Sequence, residues 1–277
     1  MIPFNFEYYK PSSIPEAVEL FRQLYAQGKN PMYYSGGTEI ITWARMNAIR
    51  PGAVIDLKSI SECNIIQYQY NHLVIGSCVP LSMLTAVNLF PLLSETAQGV
   101  ADQTARNKIT FGGNICGRIY YREAVLPLLL SNSRMLIAGL KGMREVSIHH
   151  VFVQQMRLES GEFIVQMITD REYLALPYVH VKKRQIGNVG YPLVTLAALK
   201  KDHQIRTAYS GVCAFPFRSI EMEQVLNDPM LSIEAKVDQA IDKLPAPVLT
   251  NTEASAAYRK FVLKHTLIET LSLLEGK

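Results

Sequence analysis

Two short segments of this 277-residue chain have the composition needed to hold an anion: Ser35-Gly36-Gly37-Thr38 and Thr110-Phe111-Gly112-Gly113-Asn114. A phosphate must be approached closely by backbone N–H groups. Glycine permits that approach because it has no side chain and tolerates positive φ. Successive N–H groups then form an anion-binding nest, and a neighbouring hydroxyl or amide adds another donor. Ser35 and Thr38 flank the first pair, and Thr110 and Asn114 flank the second. Two facing nests would suit two linked phosphates, whereas a single Gly-Gly is most often only a turn. Neither Gly-x-Gly-x-x-Gly nor Gly-x-x-x-x-Gly-Lys-Ser/Thr occurs, so the residues support neither a Rossmann fingerprint nor a P-loop.

Other chemistry finds little footing. The cysteines Cys63, Cys78, Cys116 and Cys213 are far apart and form no Cys-x-x-Cys; zinc and iron–sulfur sites need clustered thiolates, so no metal site is expected here. His149-His150 would point to opposite faces of a strand, and His72, His180, His203 and His265 are isolated. No Gly-x-Ser-x-Gly elbow is present. A net charge of +4 is too mild for a nucleic-acid footprint and is compatible with an anionic ligand. The N-terminus lacks a basic n-region and a long apolar run, and no stretch reaches membrane-spanning length. The expectation is a cytoplasmic protein with no membrane span and no nucleic-acid partner.

The elements that must position the loops follow from pattern. Ser13-Ile14-Pro15-Glu16 opens a helix, with Ser13 as cap, Pro15 in the first turn and Ala17, Leu20, Phe21 and Leu24 on one face. Gly28 stops it. Met32-Tyr33-Tyr34 reads as a strand running into the first glycine pair, with a short helix over 40–46. Residues 53–57 and 73–76 read as strands, helices begin near Pro80 and Pro91, and 123–130 looks helical. Strands are expected around 134–138 and 163–169, and a hairpin pairs 193–199 with 204–209. Three helices run to the end, the last over about 252–274 with Ala256, Phe261, Leu263, Leu267, Leu271 and Leu274 as its apolar residues. The irregular alternation gives an α+β class, with a boundary near Glu172.

Several segments together resemble the FAD-binding medium subunit of the molybdenum hydroxylases, of xanthine dehydrogenase and carbon monoxide dehydrogenase type. Tyr33-Tyr34-Ser35-Gly36-Gly37-Thr38-Glu39 is similar to the family's first FAD-pyrophosphate loop. Arg106-Asn107-Lys108-Ile109-Thr110-Phe111-Gly112-Gly113-Asn114-Ile115 is similar to its second, Arg-Asn-x-Ala-Thr-x-Gly-Gly-Asn. Phe6-Glu7-Tyr8, Pro11 to Val18, the Ile55-Asp56-Leu57 strand, the basic segment Lys182 to Asn188, and Cys213 to Arg218 with Glu221 and Leu226 match in order. Ile109 stands where Ala is common, and Cys116 to Arg122 replaces a segment usually rich in Ala, Ser and Pro.

The resemblance implies a two-subdomain FAD-binding fold of the vanillyl-alcohol oxidase / p-cresol methylhydroxylase type over 1–172, with subdomains of about 1–58 and 59–172. It also implies a C-terminal α+β domain over 173–277, with a small antiparallel sheet and helices. It implies cofactor contacts from Tyr33, Tyr34, Ser35, Gly36, Gly37, Thr38, Glu39, Ile40, Thr110, Gly112, Gly113, Asn114, Glu123, Ile168 and Lys183. Backbone donors would come from the four glycines, Glu123 would bond the ribose or adjoining groups, and Lys183 would place positive charge near the flavin. For Glu39, Ile168 and Lys183 a purely structural role is an equal alternative. Trp43 is expected to pack in the core, with flavin contact as the alternative. No side chain of this chain is expected to act as a catalytic acid or base. The implied partners are a molybdenum-binding large subunit with a molybdopterin cofactor, a small subunit with 2Fe–2S clusters, and NAD or another electron acceptor. A stand-alone FAD-dependent oxidase and an assembly protein that has lost FAD are the alternatives.

Overall fold

The computed structural model describes residues 1–187 and 189–276; Asn188 of the basic segment lies outside the described residues. The chain forms two compact units. The first contains 1–84, 103–118 and 133–170, and the second contains 85–102, 119–132 and 171–277. The segments 85–102 and 119–132 pack within the second unit. Apolar residues draw them there: Leu126–Leu130 is buried along its whole length and packs on the Gln204–Ser210 strand.

The first unit holds two main sheets. The strands Glu7–Tyr9, Ala53–Asp56 and Pro31–Tyr34 form a parallel three-stranded sheet with Ala53–Asp56 in the centre. The helix Ile14–Ala26 covers it through Ile14, Ala17, Phe21 and Leu24, with Leu20 only partly buried. Ser13 caps this helix through Glu16 N at 3.4 Å, and the Glu16 carboxylate reaches back to Ser12 N at 2.7 Å. Past its end, Gly28 has φ +73°. The second sheet is antiparallel, in the order Ile66–Gln69, His72–Gly76, Phe163–Asp170, Arg134–Gly139, Gly142–Ser147. Its central strand is buried over seven residues, Phe163 to Thr169, as a strand covered on both faces must be. Pattern reading gave no strand at Ile66–Gln69 or Gly142–Ser147. Both are edges, largely exposed and polar, without the apolar alternation that marks a half-buried strand.

The second unit is built on a four-stranded antiparallel sheet, Tyr178–Arg184, Pro192–Lys201, Gln204–Ser210 and Phe217–Arg218. The hairpin closes at Asp202 and His203, both at positive φ. Helices Ile220–Leu226, Ile233–Ile241 and Ala256–Glu275 complete the unit. On the last helix Leu263, Leu267, Leu271 and Leu274 form the buried stripe. Phe261 does not share it and is 58% exposed; two residues from Leu263 is about 200° round a helix, the opposite face. Arg259, four residues before Leu263, is buried instead. Its guanidinium donates to the carbonyls of Pro192, Leu193 and Gly211 at 3.1, 2.6 and 2.8 Å, and to Asn251 Oδ1 at 2.6 Å.

Candidate functional site

Parallel pairing determines where the first loop sits. Tyr34 lies opposite Asp56, so the strands Pro31–Tyr34 and Ala53–Asp56 end side by side. The chain leaves Tyr34 through Ser35-Gly36-Gly37 and enters the helix Thr38–Arg45, for which Gly37 is the N-cap at φ +70°. A side chain at Gly37 would be strained by that φ and would also strike the Tyr34 ring at 2.2 Å. The first N–H groups of a helix have no partner within it. Among the described residues no protein acceptor meets the N–H groups of Gly36, Gly37, Thr38 or Ile40. The Ser35 hydroxyl is buried without a hydrogen-bond partner. Free donors, a left-handed glycine and a helix N-terminus together make an anion nest at the carboxyl end of a parallel sheet.

The second loop is built differently. It is stitched to the chain that leaves the His72–Gly76 strand: Phe111 N donates to Val79 O, Gly112 N to Ser77 O, and Leu81 N to Ile109 O, at 2.8, 2.8 and 2.9 Å. Thr110 caps the helix Phe111–Cys116 by accepting from Gly113 N at 3.3 Å, and Asn114 N donates to Thr110 O at 2.8 Å. The Gly112 and Gly113 N–H groups, expected as phosphate donors, are therefore already bonded within the protein. What these glycines give is close approach. A Cβ on Gly112 would lie 2.7 Å from Ser77 Cβ, and one on Gly113 would lie 2.7 Å from Thr110 Oγ1.

The two loops meet. A Cβ on Gly36 would stand 2.0 Å from Lys108 O and 3.1 Å from Thr110 N. Glu39 ties them a second time, since both of its carboxylate oxygens accept from Arg118 N at 2.8 Å. Trp43 Nε1 adds a bond to the same carboxylate at 3.1 Å. Glu39 thus has protein partners that explain an acid beside an anion site, and Trp43 steadies it. Tyr33 turns into the core between Phe21 and Phe163, at centroid distances of 5.1 and 4.6 Å, with its hydroxyl on Gly161 O. Ile168 is buried in the central strand of the antiparallel sheet, opposite Val74 and Arg134. Ile40 is partly buried and Thr38 exposed on the helix that follows the first loop.

Glu123 and Lys183 belong to the second unit. Both Glu123 oxygens have protein partners, Lys182 Nζ at 2.6 Å and Thr195 Oγ1 at 2.5 Å. Lys182 also donates to Gly99 O at 2.8 Å, and burial pulls its ammonium below the usual lysine range despite the Glu123 charge. Lys183, the next residue on the strand, is about half exposed and lies 3.8 Å from Glu269. Strand alternation separates the two lysines, and the buried partner of Glu123 is Lys182, which sequence reading passed over. In the atypical segment after Asn114, Cys116, Arg118 and Ile119 are exposed, whereas Tyr121 and Arg122 are buried. Tyr120 and Tyr121 both accept from Asn251 Nδ2 at 3.2 Å, and Tyr121 stacks on Tyr191 with 4.6 Å between centroids.

The model of the FAD binding domain in molybdopterin dehydrogenase matches residues 4–169. The chain belongs to that family. Its cofactor is FAD, and it belongs to the oxidoreductases. The glyceraldehyde dehydrogenase medium chain of Sulfolobus acidocaldarius is 25% identical over 281 residues, covering 95% of this chain and 96% of the relative. The carbon monoxide dehydrogenase medium chain of Hydrogenophaga pseudoflava is 28% identical over 173 residues, covering 60% and 59%. A solved carbon monoxide dehydrogenase from the same organism superposes with a TM-score of 0.88 over 100% of this chain and 99% of that one, at 23% identity, which establishes the shared FAD-binding fold. The unpartnered Ser35 hydroxyl and the free N–H groups after it fit the phosphates of an FAD. Among the described residues no helix is long and apolar enough to cross a membrane.

Proposed function

We propose that this chain is the electron-transferring FAD subunit of a multi-subunit molybdenum hydroxylase, alongside a large subunit carrying the molybdopterin cofactor and a small subunit carrying 2Fe–2S clusters. FAD supplies a relay between one-electron carriers and a two-electron acceptor such as NAD. The residues of this chain bind and orient it. The N–H groups of Gly36, Gly37, Thr38 and Ile40 and the Ser35 hydroxyl hold the phosphates. Gly36 and Gly37 let the loop close on Lys108 and Tyr34, while Thr110 to Asn114 form the opposite wall. Glu39 locks the walls together through Arg118 N. Glu123, with both oxygens engaged, and Tyr33, in the core, support the architecture without touching the cofactor.

The observation that carries this reading is the unpartnered donor set at the N-terminus of the helix Thr38–Arg45, beside a buried hydroxyl with no partner. Relatives named as medium chains of dehydrogenases, matched along nearly their whole length in the glyceraldehyde dehydrogenase case, support the subunit role. The test is twofold. Protein reconstituted with FAD and freed of unbound flavin by gel filtration should keep the visible bands of oxidised flavin, and co-expression with a molybdenum-binding large subunit and a 2Fe–2S small subunit should return a complex containing molybdenum and iron. A chain that elutes colourless after incubation with excess FAD sinks the reading. A chain that holds flavin but assembles with no iron or molybdenum protein leaves only a stand-alone flavoprotein.

A further inference from the structure

Lys58 stands behind the first phosphate loop. It follows the central parallel strand, in the single turn Leu57–Ser59, whose N-cap is Asp56. Its ammonium donates to Ser35 O at 2.8 Å and to both oxygens of Asp56 at 2.8 Å, and lies 4.6 Å from the centroid of the Tyr34 ring. Asp56 is itself buried. Burial pushes its carboxyl up, but the hydrogen bonds from Lys58 and Tyr8 outweigh this and hold it below the usual range. The Tyr8 hydroxyl donates to Asp56, and that bond pushes its own ionisation up to about 12. The lysine is thus fixed from below by a buried anion and flanked by a ring, and its remaining bond is spent on the loop. Ser35 is the residue whose hydroxyl is buried without a partner, and Gly36 and Gly37 follow it directly.

We infer that Lys58 is a positioning residue for the phosphate loop: by clamping the Ser35 carbonyl it fixes the peptide from which the free N–H groups of Gly36, Gly37 and Thr38 project. This rests on the reading of that loop as the FAD-phosphate site. Without the clamp the loop must be ordered at the moment of binding, and affinity falls by that amount. The loss should be about tenfold, that of one charge-assisted hydrogen bond. It should apply equally to any ligand that carries the diphosphate.

The test titrates FAD and ADP into the full chain by calorimetry for wild type, Lys58→Met and Lys58→Arg. Lys58→Met could unfold because Asp56 is left charged and buried, so Asp56→Asn/Lys58→Met is carried alongside it. The expected result is a roughly tenfold weaker Kd for FAD and for ADP in the Met variants, with Lys58→Arg recovering most of it. FAD affinity within twofold of wild type in the double variant overturns the inference, as does a loss for FAD that ADP does not share, or no rescue by arginine. If wild type binds no FAD, the functional reading fails by itself. Amide exchange then decides on the clamp. Ile41 N donates to Gly37 O at 2.8 Å, and its exchange should quicken about tenfold in the double variant; an unchanged rate refutes the clamp.

Discussion

Gly36→Ala puts the contact between the two loops to a direct test. The new Cβ would lie 2.0 Å from Lys108 O, 3.1 Å from Lys108 C and 3.1 Å from Thr110 N. All three are backbone atoms, so no rotamer change relieves the clash. Restoring an ordinary contact of 3.4 Å requires the loops to part by about 1.4 Å, the difference from 2.0 Å. The second loop is held by its bonds to Ser77, Val79 and Leu81, so the first must yield, against the pull of Glu39 on Arg118 N. Overpacking of this kind costs about 1–3 kcal/mol. If the loops stay together, the cost appears as lower stability of the FAD-free chain. If they part, it appears as weaker FAD binding, roughly five- to 150-fold when all of it falls there. Calorimetric titration with FAD and thermal melting of the FAD-free protein, run side by side, capture both. Gly28→Ala is the control: Gly28 has φ +73° but nothing within 4 Å, so it should cost about 1–2 kcal/mol of stability and leave FAD affinity alone. A Gly36→Ala protein with wild-type melting and wild-type FAD affinity would refute the loop contact.

The second loop gives an ordering. Gly112→Ala meets Ser77 Cβ and backbone and should lower the melting temperature more than Gly113→Ala, which meets only the Thr110 hydroxyl and loses a cap of about 1 kcal/mol; the reverse order in parallel melts would contradict the stitching described above. Lys182→Met leaves Glu123 charged and buried, and should cost about 3–5 kcal/mol in denaturant unfolding. Glu123→Gln/Lys182→Met should recover much of that loss, and a single variant as stable as wild type would show that the pair is not buried. His180 supplies a pH dependence: burial, then the neighbouring charges of Lys182 and Arg184, push it from 6.5 down to about 4. The unfolded chain therefore binds a proton that the folded chain refuses between those values. Stability should fall as pH drops from about 6.5 to about 4, by on the order of 3 kcal/mol in full. His180→Gln should flatten that slope, and an identical slope would remove His180 from the account.

How much was legible depended on whether a local signal existed. The helix after Ser13 declared itself through cap, proline and apolar face, and the hairpin 192–201/204–210 through two apolar runs around Asp202-His203. The strand Tyr178–Arg184 did not, because its Lys182-Lys183-Arg184 end reads as a solvated charge run; only the fold reveals that Lys182 turns inward to Glu123 while Lys183 turns outward. The chain crossings at 85–102 and 119–132 were likewise hidden, since nothing in a helix-forming segment names the unit it will pack against. In the candidate site the glycines were visible by type. What each glycine does was not, because it depends on Lys108, Ser77 and Tyr34, which are distant in sequence or turned by the fold.

That difference changes how the two glycine pairs are to be understood. By composition they look alike, the first a Gly-Gly between Ser35 and Thr38, the second a Gly-Gly between Thr110-Phe111 and Asn114. In the folded chain, among the described residues, the first keeps its N–H groups free and the second has its N–H groups bonded within the protein. The first ends a parallel strand and opens a helix of eight residues, so its N–H groups are left over from regular structure and must find a partner outside it. The second opens a helix of six residues whose first N–H groups are spent on Val79, Ser77 and the Thr110 side chain. Under the proposed function, a ligand anion would be drawn to the first loop by unsatisfied hydrogen bonds, while the second would bound the space it occupies. Glu39 fits this division: its charge is directed to Arg118 N, on the side of the second loop, and draws the two loops together without occupying the donors that an anion requires.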